Sequence, residues 1–270
     1  MIGIPASGPG FSLDCWPDMV RTIAQGINAG RRMPQVTGLW PTINAFFNPF
    51  SRMYPLPNDP EFCHLYLIRH GATANNELNP PRIQGQSSND GLSATGKRQA
   101  AATADLLSAF PIAAVFSSPL VRASETAEAI AAPHRLSVQH VAGLAECDTG
   151  DWSGMTWPEI EAQQPERYRQ FQDDPATHGY AGGENLRELV ERVAPAIAEI
   201  TTANAGKTIV AVAHNVVNRA YIASLLDIPP ARGRSVYQDN CGINIIRCKP
   251  NGRAKVLMVN SALHVGERRG

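Results

Sequence analysis

Residues 208–214, Thr-Ile-Val-Ala-Val-Ala-His, constrain the fold more than any other stretch of the chain. Five consecutive apolar residues leave no polar face, so a strand made of them must be covered on both sides, as inside a parallel sheet with helices above and below. Residues 64–69 (HLYLIR) form a second run of this kind, and it too delivers a histidine, His70, at its C-terminal edge. Shorter apolar runs predict strands at 113–117 and 136–141. Helices are expected at 93–109, where Ser93 is a cap, at 120–132, stopped by Pro133, and at 216–226. A long amphipathic helix is expected over 184–203. Leu186, Leu189, Val190, Val193 and Ile197 share its apolar side, Pro195 lies inside it, and an early acid in the preceding GGEN run complements its dipole. Pro250-Asn251-Gly252 between runs 242–248 and 254–261 marks a hairpin. Strands alternating with helices predict an α/β fold: a three-layer sandwich with a mostly parallel central sheet flanked by helices. Residues 75–90, 150–183 and 227–240 read as loops.

The first 61 residues have a different texture. Nine of the 21 prolines lie within residues 1–60, and proline both removes donors and disfavours helix before it. We therefore divide the chain into a Pro-rich, partly flexible extension (1–61), with one short helix expected at 17–29, and a folded domain over 62–265. The N-terminus lacks a cationic stretch followed by a continuous apolar one, so no secretory signal is indicated and a cytoplasmic location is expected. Cys15, Cys63, Cys147, Cys241 and Cys248 are scattered, without a CxxC pair, which argues against a zinc knuckle or a disulfide framework. Lys+Arg and Asp+Glu number 24 each, so there is no global basic field for nucleic acid. No run approaches ~18 apolar residues, the length a membrane span requires.

In open α/β sheets, ligands bind beyond the C-terminal ends of the strands. If the strands carrying His70 and His214 are neighbours, both imidazoles face one crevice. Gly71 after His70 permits a tight turn and close approach of backbone to a ligand. Six further motifs follow LYLIRHGATANN in order: IQG at 83–85, LSATGKRQA at 92–100, VFSSPLVRASETA at 115–127, LAECDTGDWSG at 144–154, GGEN at 182–185 and VAHN at 212–215. In this series the chain resembles the histidine phosphatase superfamily, in its branch of phosphoglycerate-mutase-like phosphatases, over roughly residues 62–262.

That resemblance implies a set of roles. His70 matches the nucleophile that accepts the phosphoryl group, for which a neutral imidazole near pH 7 is chemically competent. Arg69 and Arg122 match the two phosphate-binding arginines, whose forks bind phosphate in a bidentate way. His214 matches the second pocket histidine. Glu146 matches the carboxyl that protonates the leaving oxygen and then activates water. Asn76 and Gln84 match amides that contact the phosphate, although Pro80-Pro81 lengthens the spacing between them. Two positions depart from the family pattern: Ala72 replaces a frequent glutamate, and Asn215 replaces a glycine. Asn215 either donates to substrate or satisfies backbone in a turn. Trp152 and Trp157 are expected to pack near the site. The other histidines, His64, His134, His140, His178 and His264, carry no motif and read as structural.

The implied activity is metal-independent hydrolysis of a small phosphomonoester through phosphohistidine, without a cofactor. A mutase of the same superfamily is the alternative, disfavoured because residues 146–171 (ECDTGDWSGMTWPEIEAQQPERYRQF) lack the longer basic, tyrosine-bearing insertion. A non-catalytic phosphate-binding protein is disfavoured because every core position is retained. Arg232 and Arg234 either reach an anionic substrate or face water. For oligomeric state, a C2 homodimer is the default expectation.

Overall fold

The computed structural model describes residues 60–266. The extension expected over residues 1–61, with its short helix at 17–29, lies outside the described residues but for its last two positions. Six strands form one sheet: β1 (Cys63–Arg69), β2 (Ile112–Ser117), β3 (Val138–His140), β4 (Thr208–Ala213), β5 (Ile243–Cys248) and β6 (Ala254–Ser261). Their order is β3-β2-β4-β1-β5-β6. β4 runs parallel to both β1 and β2, β3 runs parallel to β2, and β5 is antiparallel to its neighbours β1 and β6. The sheet is thus mostly parallel, as expected, with the 243–261 hairpin added to one edge.

The two apolar runs lie side by side at the centre, where β1 is buried along nearly its whole length and β4 from Ile209 onward. Leu65, Leu67, Ile209, Ala211 and Phe116 point into one core with Leu189, Val193 and Ile197 of α6 (Leu186–Thr202) and Val217 of α7 (Asn215–Leu225). On the other face α2 (Ala94–Leu107) packs on α3 (Val121–Ala131), and α3 lies on β2 and β4. These three layers make the predicted sandwich.

Helix starts follow the capping rules. Ser93 Oγ accepts the Gly96 N–H at 3.0 Å to open α2. Asn185 Oδ1 accepts from Arg187 and Glu188 N–H, both at 2.9 Å, and Glu188 reaches back to the Asn185 N–H, a complete capping box. The acid that serves the helix end is therefore Glu188. Glu184 of the GGEN run is used elsewhere.

Two differences from the expected elements matter for the site. Residues 150–183 are not a plain loop: they include α4 (Trp157–Gln163) and α5 (Pro165–Asp173). Residues 75–90 are preceded by a short turn of helix, α1 (Ala74–Glu77), that runs into them. Thr156 and Glu159 form a capping box that starts α4, but only Ile160 and Phe171 are buried on the two helices, too few to print a helical period on the sequence. Cys63, Cys147, Cys241 and Cys248 are buried free thiols.

Candidate active site

Adjacency of β1 and β4 in register, with Arg69 opposite Ala213, carries the chain from both strands onto the same edge of the sheet. The His70 N–H donates to Ala213 O at 3.0 Å, and the His70 and His214 rings lie 5.1 Å apart between centroids. The loop after β1 is held from two sides. Gly71 N–H donates to Thr126 Oγ1 of α3 at 3.0 Å, and Ala72 N–H donates to Gln99 Oε1 of α2 at 2.9 Å. Gly71 and Gly96 meet backbone to backbone. A Cβ on Gly71 would sit 2.6 Å from Gly96 O, and one on Gly96 would collide with Ala72 O. That close approach explains both glycines of the RHG and LSATG motifs.

His70 Nδ1 lies 2.7 Å from Gly71 O. A carbonyl only accepts, so Nδ1 carries the proton and Nε2 keeps its lone pair. Burial, reinforced by the charges of Arg122 and Arg69, holds this imidazole well below its ordinary pKa, so it is neutral near pH 7. His214 shares that depression from burial and from Arg122. His214 Nε2 is 2.7 Å from Ser118 Oγ at the end of β2.

Arg69 Nη1 donates to Gln238 O at 2.7 Å, and Arg122 donates to Ser88 O at 2.6 Å and Gly85 O at 2.8 Å. Gly85 takes a left-handed φ of 57° to present its carbonyl. Among the described residues, seven buried side-chain polar atoms have no protein partner, and three of them are Arg69 Nε, Arg122 Nε and His214 Nδ1. Buried polar groups are normally satisfied within the protein or by something they bind, so this concentration around His70 marks an anion site.

Glu146 is buried where its carboxylate meets the start of α7. Oε1 accepts from Cys147 N–H (2.8 Å) and Val217 N–H (3.4 Å), and Oε2 accepts from Val216 N–H (3.3 Å). A clamp fixes its loop. Arg192 of α6 donates to Gly143 O and Ala145 O at 2.9 Å each and to Glu146 O at 2.8 Å, and it pairs with Glu184 at 2.6 Å. Glu184 in turn accepts the Asp148 N–H at 2.8 Å. Burial pushes the Glu184 carboxyl up, and its bonds to Arg192 and Asp148 N–H overcome that, leaving it below the usual range.

Asn76, Gln84 and Asn215 line the same cavity, of about 920 Å³, as His70, Arg69, Arg122 and Glu146. Thr73 donates its N–H to Asn76 Oδ1 at 3.1 Å and its hydroxyl to Gln84 Oε1 at 3.0 Å, so both amide oxygens are occupied and both NH2 groups remain as donors. The Pro80-Pro81 lengthening falls in the exposed stretch 78–82, of which Pro81 and Arg82 line the cavity mouth, and Gln84 lies in the same cavity. Asn215 is the first residue of α7 and lines the cavity, and its side chain makes no hydrogen bond among the described residues. Trp152 is fully buried, whereas Trp157 lines the cavity. His264 lines it too, 3.0 Å from Thr103 Oγ1 and pulled down to about 4 by burial. Arg234 lies over the Trp157 and Phe171 rings, 4.6 and 5.3 Å from their centroids. Among the described residues no group of three His, Cys, Asp or Glu is placed to hold a metal ion.

Three residues that hold the site, Thr73, Ser118 and Arg192, are not singled out by the sequence alone. Thr73 and Ser118 stand inside quoted motifs, so position within a motif was their signal. Arg192 reaches a loop 46 residues away in sequence, which no local pattern announces.

The model of the histidine phosphatase superfamily (branch 1) matches residues 65–261. The chain belongs to that superfamily. It is 34% identical over 204 residues to phosphoserine phosphatase 1 of Hydrogenobacter thermophilus, covering 75% of this chain and 94% of that one. Glucosyl-3-phosphoglycerate phosphatase of Mycolicibacterium vanbaalenii is 34% identical over 172 residues, 61% of this chain and 75% of the relative. Among solved structures, a phosphoserine phosphatase from Entamoeba histolytica in complex with 3-phosphoglyceric acid superposes with a TM-score of 0.67. It is 27% identical, with 75% of this chain and 99% of that one covered. The relatives of this histidine phosphatase are thus phosphatases of small phosphorylated metabolites, and a phosphohistidine route is typical of the family.

Proposed function

We propose that this chain hydrolyses a small phosphomonoester without a metal, with His70 as nucleophile. The observation that carries the assignment is the oriented lone pair of His70 Nε2 among Arg69, Arg122 and His214. Nε2 attacks phosphorus as the ester P–O bond breaks, and the Glu146 carboxyl passes a proton to the leaving oxygen. The Nδ1–H bond to Gly71 O supports the positive ring that forms. Arg69, Arg122, His214 and the amides of Asn76, Gln84 and Asn215 hold the equatorial oxygens, which is most of what phosphoryl transfer asks of a protein. Glu146, now a carboxylate, takes a proton from water as that water attacks phosphorus. The P–N bond breaks, and phosphate leaves with His70 neutral again.

Hydrolysis of p-nitrophenyl phosphate in the presence of chelator, abolished by His70→Ala, is the expected result. A phosphate label on the enzyme should be acid-labile and base-stable. Absence of hydrolysis across a phosphomonoester panel would sink the assignment.

The same reading makes the partner a dissolved small molecule rather than nucleic acid, in the cytoplasm, with a homodimer as default assembly. No helix among the described residues is long and apolar enough to cross a membrane. We also take residues 62–265 as the catalytic domain and 1–61 as a dispensable extension, so a chain beginning at Met53 should keep full activity.

A further inference from the structure

Arg219 stands one helical turn beyond Asn215 on α7, so the two side chains leave the same face of the helix, and both line the cavity. The other four arginines of that lining are engaged. Arg69 and Arg122 donate to backbone carbonyls, Arg82 pairs with Glu159 at 3.7 Å, and Arg98 donates to Thr95 Oγ1 at 3.1 Å. Arg219 makes no hydrogen bond or ion pair with any described residue, although it is half-buried. Its charge reaches Arg69 and Arg234, and in each it adds to the lowering that burial causes. A partly desolvated cation beside two others is unfavourable unless an anion joins it. The phosphate already has its own donors at His70, so the anion at Arg219 is a second one.

We propose that Arg219, with Asn215 between it and the phosphate site, binds a carboxylate of the substrate. The favoured substrates are then phosphate esters of short hydroxy acids. A single guanidinium fork matches a carboxylate in bidentate fashion, whereas the phosphate end needs donors from several segments. The four residues from Asn215 to Arg219 advance about 6 Å along the helix, which suits a phosphate and a carboxylate joined through two or three carbons. Trp157 and Tyr180 also line the cavity, and Arg234, stacked on Trp157 at 4.6 Å, adds a further positive charge near Arg219. This inference rests on the phosphatase reading above.

Two matched pairs test it with the purified full-length chain: 3-phosphoglycerate against glycerol 3-phosphate, and O-phosphoserine against O-phosphoethanolamine. Within each pair the compounds differ at one position, where a carboxylate is present or absent. In at least one pair kcat/KM should favour the carboxylate at least tenfold. Arg219→Gln should erase that preference, chiefly through KM, while glycerol 3-phosphate and p-nitrophenyl phosphate stay within twofold. Arg219→Lys should restore only part of it. No preference in either pair, or an equal loss on both members in Arg219→Gln, overturns the subsite while the phosphatase reading stands. Failure of the unaltered enzyme on p-nitrophenyl phosphate as well would bring down both.

Discussion

The floor and the wall of the cavity are built on different principles. On the floor, Arg69, His70 and Arg122, with His214 fully buried beside them, leave strand ends and a helix start, and each is oriented by a directional bond: to Gln238 O, Gly71 O, Gly85 and Ser88 O, and Ser118 Oγ. The wall is carried by α4, α5 and the segments around them. It is held by rings: Trp152 meets Phe171 edge-on at 5.3 Å and Tyr180 at 5.9 Å, and Trp157 stacks on Phe171 at 5.6 Å. Hydrogen bonds fix angles, so the floor tolerates little change without losing its chemistry. Apolar contact is non-directional, so the wall can change shape and remain a wall. On the proposed function, reaction type is set by the floor and choice of substrate by the wall and rim.

The sharpest way to break this contrast is to remove one element of each. His70→Ala should lower kcat at least ~10³-fold with an unchanged urea midpoint; a folded variant with appreciable turnover would reject the floor as the reacting centre. Trp152→Ala should do the reverse, costing about 3–5 kcal/mol of stability by denaturant titration. Its kcat on p-nitrophenyl phosphate should stay within severalfold per folded molecule, and a collapse of kcat comparable to that of His70→Ala would mean that the wall shares in the chemistry.

Acid should discriminate the two regions next. His70 and His214 are held neutral in the fold, while in the unfolded chain they titrate near 6.5. Below that value the unfolded state binds more protons, so stability falls as pH drops, by about 1.4 kcal/mol per pH unit for each histidine. Between pH 6.5 and 5.5, where the unfolded histidines are only partly protonated, the unaltered protein should lose roughly 2 kcal/mol from this pair, and His70→Ala should lose about half as much. An equal slope in both would show that the floor is not the acid-sensitive part. Smallest is the effect of Arg192, which touches no substrate. Arg192→Ala should slow hydrolysis of an alkyl phosphate about tenfold and p-nitrophenyl phosphate far less, because Glu146 matters most for a poor leaving group. Arg192→Lys should recover part of the loss, and equal slowing of both substrates would dismiss the clamp's connection to the acid.

The same contrast governs what the sequence discloses. Strands β1 and β4 are legible because burial on both faces demands unbroken apolar runs, and the histidines that follow them mark the crevice in the sequence itself. Arg122 and Glu146 are visible only through their motifs, since a charged residue on a helix or loop looks the same whether solvated or turned inward. The wall was hidden. α4 and α5 bury one large apolar residue each, and the local clues are the Thr-x-x-Glu box that opens α4 and the first-turn prolines Pro158 and Pro165. Glu184 illustrates another limit. A position ahead of a helix suggests a dipole partner, yet Arg192, eight residues on, competes for the carboxylate with two short bonds of 2.6 and 2.9 Å.

The contact between Gly71 and Gly96 has an effect on how this enzyme would answer random mutagenesis. Helix α2 and the turn bearing His70 share one boundary with no thickness to spare. Even the smallest side chain at position 96 must be absorbed by shifting the RHG turn. A variant there would then score as a catalytic lesion although residue 96 never meets a substrate, and a mutational map would draw the active centre wider than its chemistry extends.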